Sequence, residues 1–262
     1  MLNVGIIAND QKNNWLVDQF ETYYGKSSHT KNILFIPREA IFIVFHFKNR
    51  PSLVDNNEIQ LEPYFVAPII PKSILLNFSG LFDTLVVTCK ATVFSRTFNL
   101  DLSPISKRSI SLPKPVFHAL WKKMAAQNSI EERIHCFTEF INSHQQTMYV
   151  PDAIDAFYNK IIEKSLHTSL GEIMKDCFIS KSTIHRKFIK RTGVSPKTLA
   201  RIVRLNHLLA RIRKEKAVDY QDLVFDGNYF DQSHFINDFK FIVGETPSDF
   251  FKSNPDIAKS FT

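Results

Sequence analysis

The sequence has 262 residues, of which 44% are hydrophobic and 23% are charged, and its formal net charge is +7. This length and balance describe a folded protein with room for two ordinary domains and exclude a disordered chain. No run approaches the ~20 apolar residues of a membrane span, and the first residues lack the basic start and apolar core of an export signal, so we expect a cytoplasmic protein with no membrane partner.

The first hundred residues contain short runs rich in β-branched and aromatic side chains. They lie at 39–48, 72–78 and 84–94 and are separated by Pro, Asn and Gly. Such spacing is typical of the strands of a small antiparallel barrel or sandwich. His46 stands alone in its run, without the further ligands that a metal site needs, so we interpret it as a histidine of the core or rim.

A helical hairpin is predicted over residues 111–150, from "VFHALWKKMAAQ" and "SIEERIHCFTEFI". Ser129 and Glu132 form a capping box at the start of its second helix. One face of that helix carries an apolar stripe of Ile130, Ile134, Phe137 and Ile141. The stripe is either ordinary core or a dimer surface. Because a lone hairpin would leave it uncovered, we predict a homodimer formed through residues 114–145.

The C-terminal third follows a helical pattern bounded by capping residues. Ser180 caps a helix that Gly193 ends, and Ser195-Pro196 begins another that reaches about Lys214. At 1.5 Å per residue this linker helix is ~28 Å long. Residues 151–262 are therefore predicted to be entirely α-helical, which makes the whole chain α+β.

The helical pattern repeats after 51 residues. Phe188-x4-Gly193-x-Ser195-Pro196 recurs as Phe239-x4-Gly244-x-Thr246-Pro247, and Ile184 recurs as Phe235. Each copy has a short helix, a tight turn and a second helix followed by a glycine stop, which is the order of elements in a helix-turn-helix unit. The sequence therefore predicts two such units joined by a long helix.

The charge is distributed unevenly between the two copies. Residues 165–216 hold thirteen Lys or Arg against three acids, a net +10, whereas residues 217–262 hold three against eight, a net −5. A basic block of this size indicates either a nucleic-acid surface or a solvated helix face, and charge alone does not choose between them.

Residues ~155–250 resemble the tandem helix-turn-helix DNA-binding domain of AraC/XylS-type transcription regulators. The resemblance is carried by "LGEI", "ISKSTIHRKFIKRTGVSPKTL" and, most specifically, "YFDQSHFINDFKFIVGETPSDF", and it covers about 100 of the 262 residues. It implies a sequence-specific regulator of double-stranded DNA, an activator that recruits RNA polymerase, with a sensory domain over residues 1–110 and the DNA-binding domain over residues 151–262. The passage "VFSRTFNLDLSPI" is similar to divergent cupin-like sensory domains, which implies a small-molecule effector of unknown identity.

The resemblance also assigns candidate DNA-binding residues. In the first recognition helix the base-contacting positions fall on Ser182, His185 and Arg186, with Lys181, Lys187 and Lys190 available to phosphates. In the second they fall on Gln232, Ser233, Ile236 and Asn237. Arg186 is the leading candidate, because a guanidinium pairs bidentately with guanine, and Gln232 could read adenine. Ile236 offers only apolar contact, and His234 is either a reader or a local packing residue.

Two features depart from the family pattern. Phe178 and Asn228 stand where each unit has a turn glycine, and a bulky residue in a left-handed conformation costs ~1–2 kcal/mol, whereas Asn tolerates it. Asn237 stands where the family commonly has Arg, and the surrounding residues are acidic. We therefore expect the first unit to supply most of the affinity for DNA.

Three classes of function remain open at this stage. A transcription regulator leads, ahead of an enzyme and of a protein-interaction adaptor whose second DNA-binding unit is degenerate. An enzyme with a reactive cysteine needs an activated thiolate, and Cys89, Cys136 and Cys177 have no such neighbours in sequence. We therefore predict reduced core cysteines, no catalytic residue, no metal and no cofactor.

Overall fold

The structure is a computed structural model that describes residues 2–9, 15–54, 59–103, 112, 114–144, 149–175, 177, 180–212, 224, 227 and 229–253. Within these ranges an antiparallel sheet is followed by a helical C-terminal region, so the α+β prediction is confirmed. The strands lie between residues 2 and 89 and the helices between residues 91 and 253.

Seven strands form the sheet within the described part of the chain. They are β1 (Leu2–Ala8), β2 (Val17–Phe35), β3 (Ile41–His46), β4 (Ser52–Val54), β5 (Ile59–Gln60), β6 (Tyr64–Ala67) and β7 (Ile74–Cys89). The order is β1-β2-β7-β3-β6, with β4 pairing β7 and β5 off the main path. Each pairing between these strands is antiparallel, as the short runs of β-branched and aromatic residues predicted.

The two long strands bend the sheet over itself. The register of β2 and β7 shifts between Ser27 and Lys31, beside Gly80, whose φ of 87° is a conformation that glycine adopts without strain. Beyond this point Phe35 packs its ring against Phe42 of β3 at 5.7 Å. The bend therefore lets one sheet enclose a small second core. The runs at 72–78 and 84–94, predicted as separate strands, belong to one long strand, β7.

The end of the run at 84–94 is a helix, not a strand. After Cys89 the chain turns into α1 (Ala91–Thr97), which buries Val93 and Phe94. The N–H of Lys90 donates to the carbonyl of Leu16. The β-branched residues of this segment favour a strand locally, but burial against the rest of the core decides the outcome.

The predicted hairpin consists of α2 (Lys114–Ala125) and α3 (Ile130–His144), packed on the sheet. The capping box of Ser129 and Glu132 is present. Phe137 is fully buried, with its ring 6.1 Å from that of Phe20 and 6.0 Å from that of Phe45. The apolar stripe of α3 therefore belongs to the core, and the premise that it lies uncovered was wrong. Dimerisation itself stays a prediction.

The C-terminal region contains six helices among its described residues. They are α4 (Ala153–Lys164), α5 (Leu170–Lys175), α6 (Lys181–Thr192), α7 (Pro196–Ile212), α8 (Gln232–Val243) and α9 (Pro247–Ser253). One continuous cluster of buried apolar side chains extends from the sheet into these helices. This cluster fixes the linker helix α7 between the two repeat copies. The linker helix was predicted to reach about Lys214, but residues after Ile212 lie outside the described range.

Candidate nucleic-acid interface

The helices α6 and α8 are the two copies of one element. Each has twelve residues, and α8 begins and ends 51 residues after α6. Ser180 accepts a hydrogen bond from the N–H of Thr183, and Asp231 accepts one from that of His234. Gly193 and Gly244 end the helices at φ 85° and 102°, values that suit glycine. The predicted repeat is therefore present in three dimensions, and we call α6 and α8 the recognition helices.

The first recognition helix presents every predicted DNA-binding residue to solvent. Ile184 and Phe188 anchor its inner face in the core. The outer face carries the residues that the sequence assigned to bases and phosphates, namely Lys181, Ser182, His185, Arg186, Lys187 and Lys190. Four of these six are Lys or Arg, so this face has the positive potential that phosphates require.

The second recognition helix presents a nearly neutral face. Gln232, Ser233 and Asn237 are exposed, whereas Ile236 is half-buried against the core. Its inner face is formed by Phe235, Phe239 and neighbouring residues. Polar amide and hydroxyl groups can read base edges but contribute little counter-ion release. The expected imbalance between the units thus has a structural counterpart in these surfaces.

Aromatic side chains flank the start of the second recognition helix. Phe230 is 93% exposed beside the capping residue Asp231. His234 is exposed at the first turn, and its ring is perpendicular to that of buried Tyr229, with the ring centres 5.2 Å apart. His234 thus makes the local packing contact that the sequence allowed, and its role as a reader stays a prediction.

Several cations of the basic block contact acids of the protein instead of facing solvent. Arg191 donates to Asp152 at 2.7 Å and to Asp155 at 2.6 Å. On α7, Arg201 and Arg204 pair with Asp238, an acid on the buried side of α8. The net +10 therefore overstates the charge available to DNA.

Sequence reasoning missed the pairing of Asp238, although one signal was visible. On a helix with 3.6 residues per turn, an acid at 238 lies on the same face as Phe235 and Phe239. An acid on an apolar face is buried with a cation partner far more often than alone. The partners themselves lie on another helix and leave no local trace in the sequence.

The N-terminal region contacts the last turn of both recognition helices. The N–H of Leu102 donates to the carbonyl of Lys190 at 2.8 Å, and that of Ser73 donates to the carbonyl of Ile242 at 2.7 Å. These carbonyls belong to the last turns of α6 and α8, where helices leave acceptors unpaired. The last turns of both recognition helices are therefore held by the N-terminal region, at positions that differ by one residue in the repeat.

The remaining sequence predictions concern the cysteines, metal ligands and membrane-spanning helices. Cys89 and Cys136 are buried and Cys177 is half-buried, and none of the three forms a disulfide. Burial raises the pKa of Cys89 well above its usual range. Cys177 is thus less enclosed than predicted. Among the residues described, no group of His, Cys, Asp and Glu is arranged to hold a metal ion. The described helices also include none with the length and apolar character to cross a membrane.

Two sequence expectations fall outside the structure. The turn positions Phe178 and Asn228 both lie outside the described residues. Their cost in backbone strain therefore stays a prediction.

Comparison with known proteins places the sequence match in the C-terminal region. Residues 173–253 match the family model of a helix-turn-helix domain. The chain matches no curated protein. Among solved structures it is similar to ToxT from Vibrio cholerae, at 9% identity over 96% of this chain and 98% of that chain, with a TM-score of 0.49.

Two further solved structures are similar at the same low level of identity. Wild-type ToxT from Vibrio cholerae strain SCE256, bound to an unsaturated fatty acid, shares 13% identity over 95% of this chain and 94% of that chain, with a TM-score of 0.45. The AraC-like transcriptional activator CuxR shares 11% identity over 79% of this chain and 86% of that chain, with a TM-score of 0.27.

Proposed function

We propose that this chain, whose residues 173–253 form an AraC-type helix-turn-helix domain, is a sequence-specific DNA-binding transcription regulator. The observation that carries the proposal is the pair of recognition helices, related by the 51-residue repeat, whose outer faces hold all the predicted contact residues except half-buried Ile236. Two helices of this kind, joined by one linker helix, suit two successive major grooves on one side of a duplex.

Direct readout and phosphate contact are divided between the residues of the first helix. Arg186 reads a guanine, with Ser182 and His185 beside it, while Lys181, Lys187 and Lys190 neutralise phosphates. In the second helix Gln232, Ser233 and Asn237 reach base edges. The helical C-terminal region is thus the part that selects the DNA sequence.

A salt series of DNA binding tests the proposal. Full-length protein is titrated onto a duplex selected from a random library, at several salt concentrations. A regulator that contacts phosphates gives an affinity that falls steeply with salt, because each neutralised phosphate releases counter-ions. An adaptor with degenerate DNA-binding units would show no such slope and no selected sequence.

The finer functional assignments are part of the same proposal. Activation by recruitment of RNA polymerase rests on the family resemblance, as does a small-molecule effector acting on the N-terminal region. Assembly as a homodimer was predicted from the apolar stripe of α3, which the core covers, and it stays a prediction without that support. In vitro transcription from a promoter that carries the selected site decides between activation and repression. Sedimentation of the full-length protein at micromolar concentration decides between monomer and dimer.

A further inference from the structure

We infer that Asp238 positions the second recognition helix on the linker helix and thereby fixes the spacing of the two DNA-reading units. Its carboxylate serves as an internal counter-ion rather than as an acid facing DNA. This inference rests on the proposed function, because it concerns how two DNA readers are held relative to each other.

The carboxylate of Asp238 lies between two arginines of α7. Its Oδ1 is 2.8 Å from Nη2 of Arg201, and its Oδ2 is 3.5 Å from Nη2 of Arg204. Asp238 is 6% exposed, and the side chains of both arginines are 18% exposed. The three charges are therefore largely withdrawn from solvent. Buried ion pairs are screened less by salt than ion pairs at the surface.

Aromatic rings complete the contact on both sides. The guanidinium of Arg201 lies 4.1 Å from the centre of the Phe241 ring, and that of Arg204 lies 5.1 Å from the centre of the Tyr229 ring. Each arginine thus contacts a carboxylate and a ring face together. Since Asp238 and Phe241 are one turn apart on α8, the shared contact with Arg201 restricts rotation of α8 about its own axis.

The first unit lacks this arrangement. The repeat partners of Asp238 and Phe241 are Lys187 and Lys190, and both are exposed cations. The duplication has therefore diverged at these two positions. The first copy directs them toward solvent, where phosphates would lie, and the second uses them to contact the linker helix.

Removal of the Asp238 charge has opposite expected effects if this acid faces DNA and if it positions α8. An acid that faced DNA would repel phosphates, so its removal would tighten binding. An acid that positions α8 keeps the second reader in register, so its removal would weaken binding to a duplex with two half-sites. The variant Asp238→Asn separates the two, because it removes the charge with little change of shape.

The matched control is Asp249→Asn. Asp249 is an exposed acid in α9 of the same unit, so its loss changes the net charge equally without touching the linker helix. The probe is a duplex selected by the full-length wild-type protein. It is compared with versions in which one half-site is scrambled or in which a base pair is inserted between the half-sites.

We expect Asp238→Asn to bind the two-site duplex about tenfold more weakly, as follows if α8 spends about a tenth of its time in the competent orientation. Binding to the duplex that keeps only the half-site of the first unit should not change. The inserted base pair should impair the variant less than the wild type, whereas an unfolded second unit would lose its half-site at every spacing. Tighter binding, with unchanged spacing preference, would overturn the inference.

A second measurement needs no DNA. Spin labels are attached at Lys197→Cys on α7 and Lys240→Cys on α8, in a Cys177→Ser background. Electron paramagnetic resonance then reports the distance between the two helices. The wild type and Asp249→Asn should give one narrow distance distribution, and Asp238→Asn a broad one. An unchanged distribution overturns the inference whatever DNA does, whereas failure of the wild type to select any duplex overturns the proposed function alone.

Discussion

Single residues of the first recognition helix divide the work of binding DNA. Arg186 and Lys187 are adjacent and exposed, but the proposal assigns one to a base and the other to a phosphate. Arg186→Ala should cost about 1–3 kcal/mol on the selected duplex and relax the preference at one base pair, whereas Lys187→Ala should weaken all sequences alike. Competition binding with selected and random duplexes measures both. Equal losses on the two duplexes for both variants would contradict the division of roles.

At the same scale, His46 makes stability depend on pH. It is 4% exposed, its Nδ1 lies 2.8 Å from Oγ1 of Thr84, and burial, helped by the charge of Arg50, lowers its pKa to about 3. At His46 the unfolded chain therefore binds more protons than the folded chain between pH 3 and about 6.5, so the contribution of this residue to stability rises with pH across that window and is constant above it. The predicted core histidine is confirmed, and it is neutral.

The corresponding prediction compares the wild type with His46→Phe by chemical unfolding at pH 7 and pH 5. Between pH 7 and pH 5 the free energy of unfolding of the wild type should fall by about 2 kcal/mol through this histidine, because at pH 5 His46 is protonated only in the unfolded state. The variant should lack that part of the loss, whatever its stability at pH 7. An equal difference between the two pH values in both proteins would show that His46 takes up its proton in the folded state.

At the scale of elements, the second recognition helix has room for a phosphate contact. Asn237 is exposed, while neighbouring Asp238 is turned toward the linker helix. Asn237→Arg should therefore tighten DNA binding and steepen the salt dependence by about one counter-ion. The control is Asn237→Gln, which keeps the charge unchanged. Footprinting of the wild type provides the test. Equal protection of both major grooves, together with unchanged affinity of Asn237→Arg, would show that the second unit already binds DNA fully.

The elements also show how far sequence reasoning reaches. Helix bounds in the repeat were predictable, because Ser180, Gly193 and Pro196 act within one turn of their own position. The helical end of the run at 84–94 was not, because its local preference is for a strand and its burial depends on distant residues. The burial of the α3 stripe against the sheet was not predictable for the same reason, since Phe20 and Phe45 are distant in sequence. The candidate readers came from the family resemblance and stay a prediction, although their exposure on α6 and α8 agrees with it. The partners of Asp238 were missed because they lie on α7.

At the scale of the whole molecule, Arg191 joins three parts of the chain. Besides Asp152 and Asp155 at the start of α4, it donates to the carbonyl of Thr92 in α1 at 2.8 Å. Arg191→Ala would leave the carboxylate of Asp155, itself buried, without this partner. We expect a loss of about 3 kcal/mol in the free energy of unfolding.

The control for this prediction lies on the same helix. Arg186 is exposed, so Arg186→Ala should change stability by no more than about 0.5 kcal/mol. Thermal or urea unfolding of the full-length proteins provides the comparison. A loss for Arg191→Ala as small as that of the control would show that the junction is held by its apolar contacts alone.

The bonds from Ser73 and Leu102 to the last turns of the recognition helices have a consequence for synthesis. Both donors are made before the ribosome has reached their acceptors at Lys190 and Ile242. Ser73 and Leu102 therefore emerge before the segments that carry their protein partners have been translated. Contacts so distant in sequence close slowly, because the loop entropy must be overcome before the bonds form. We therefore expect the helical region to dock onto the sheet late in folding, and until then water, or a chaperone, must satisfy these groups.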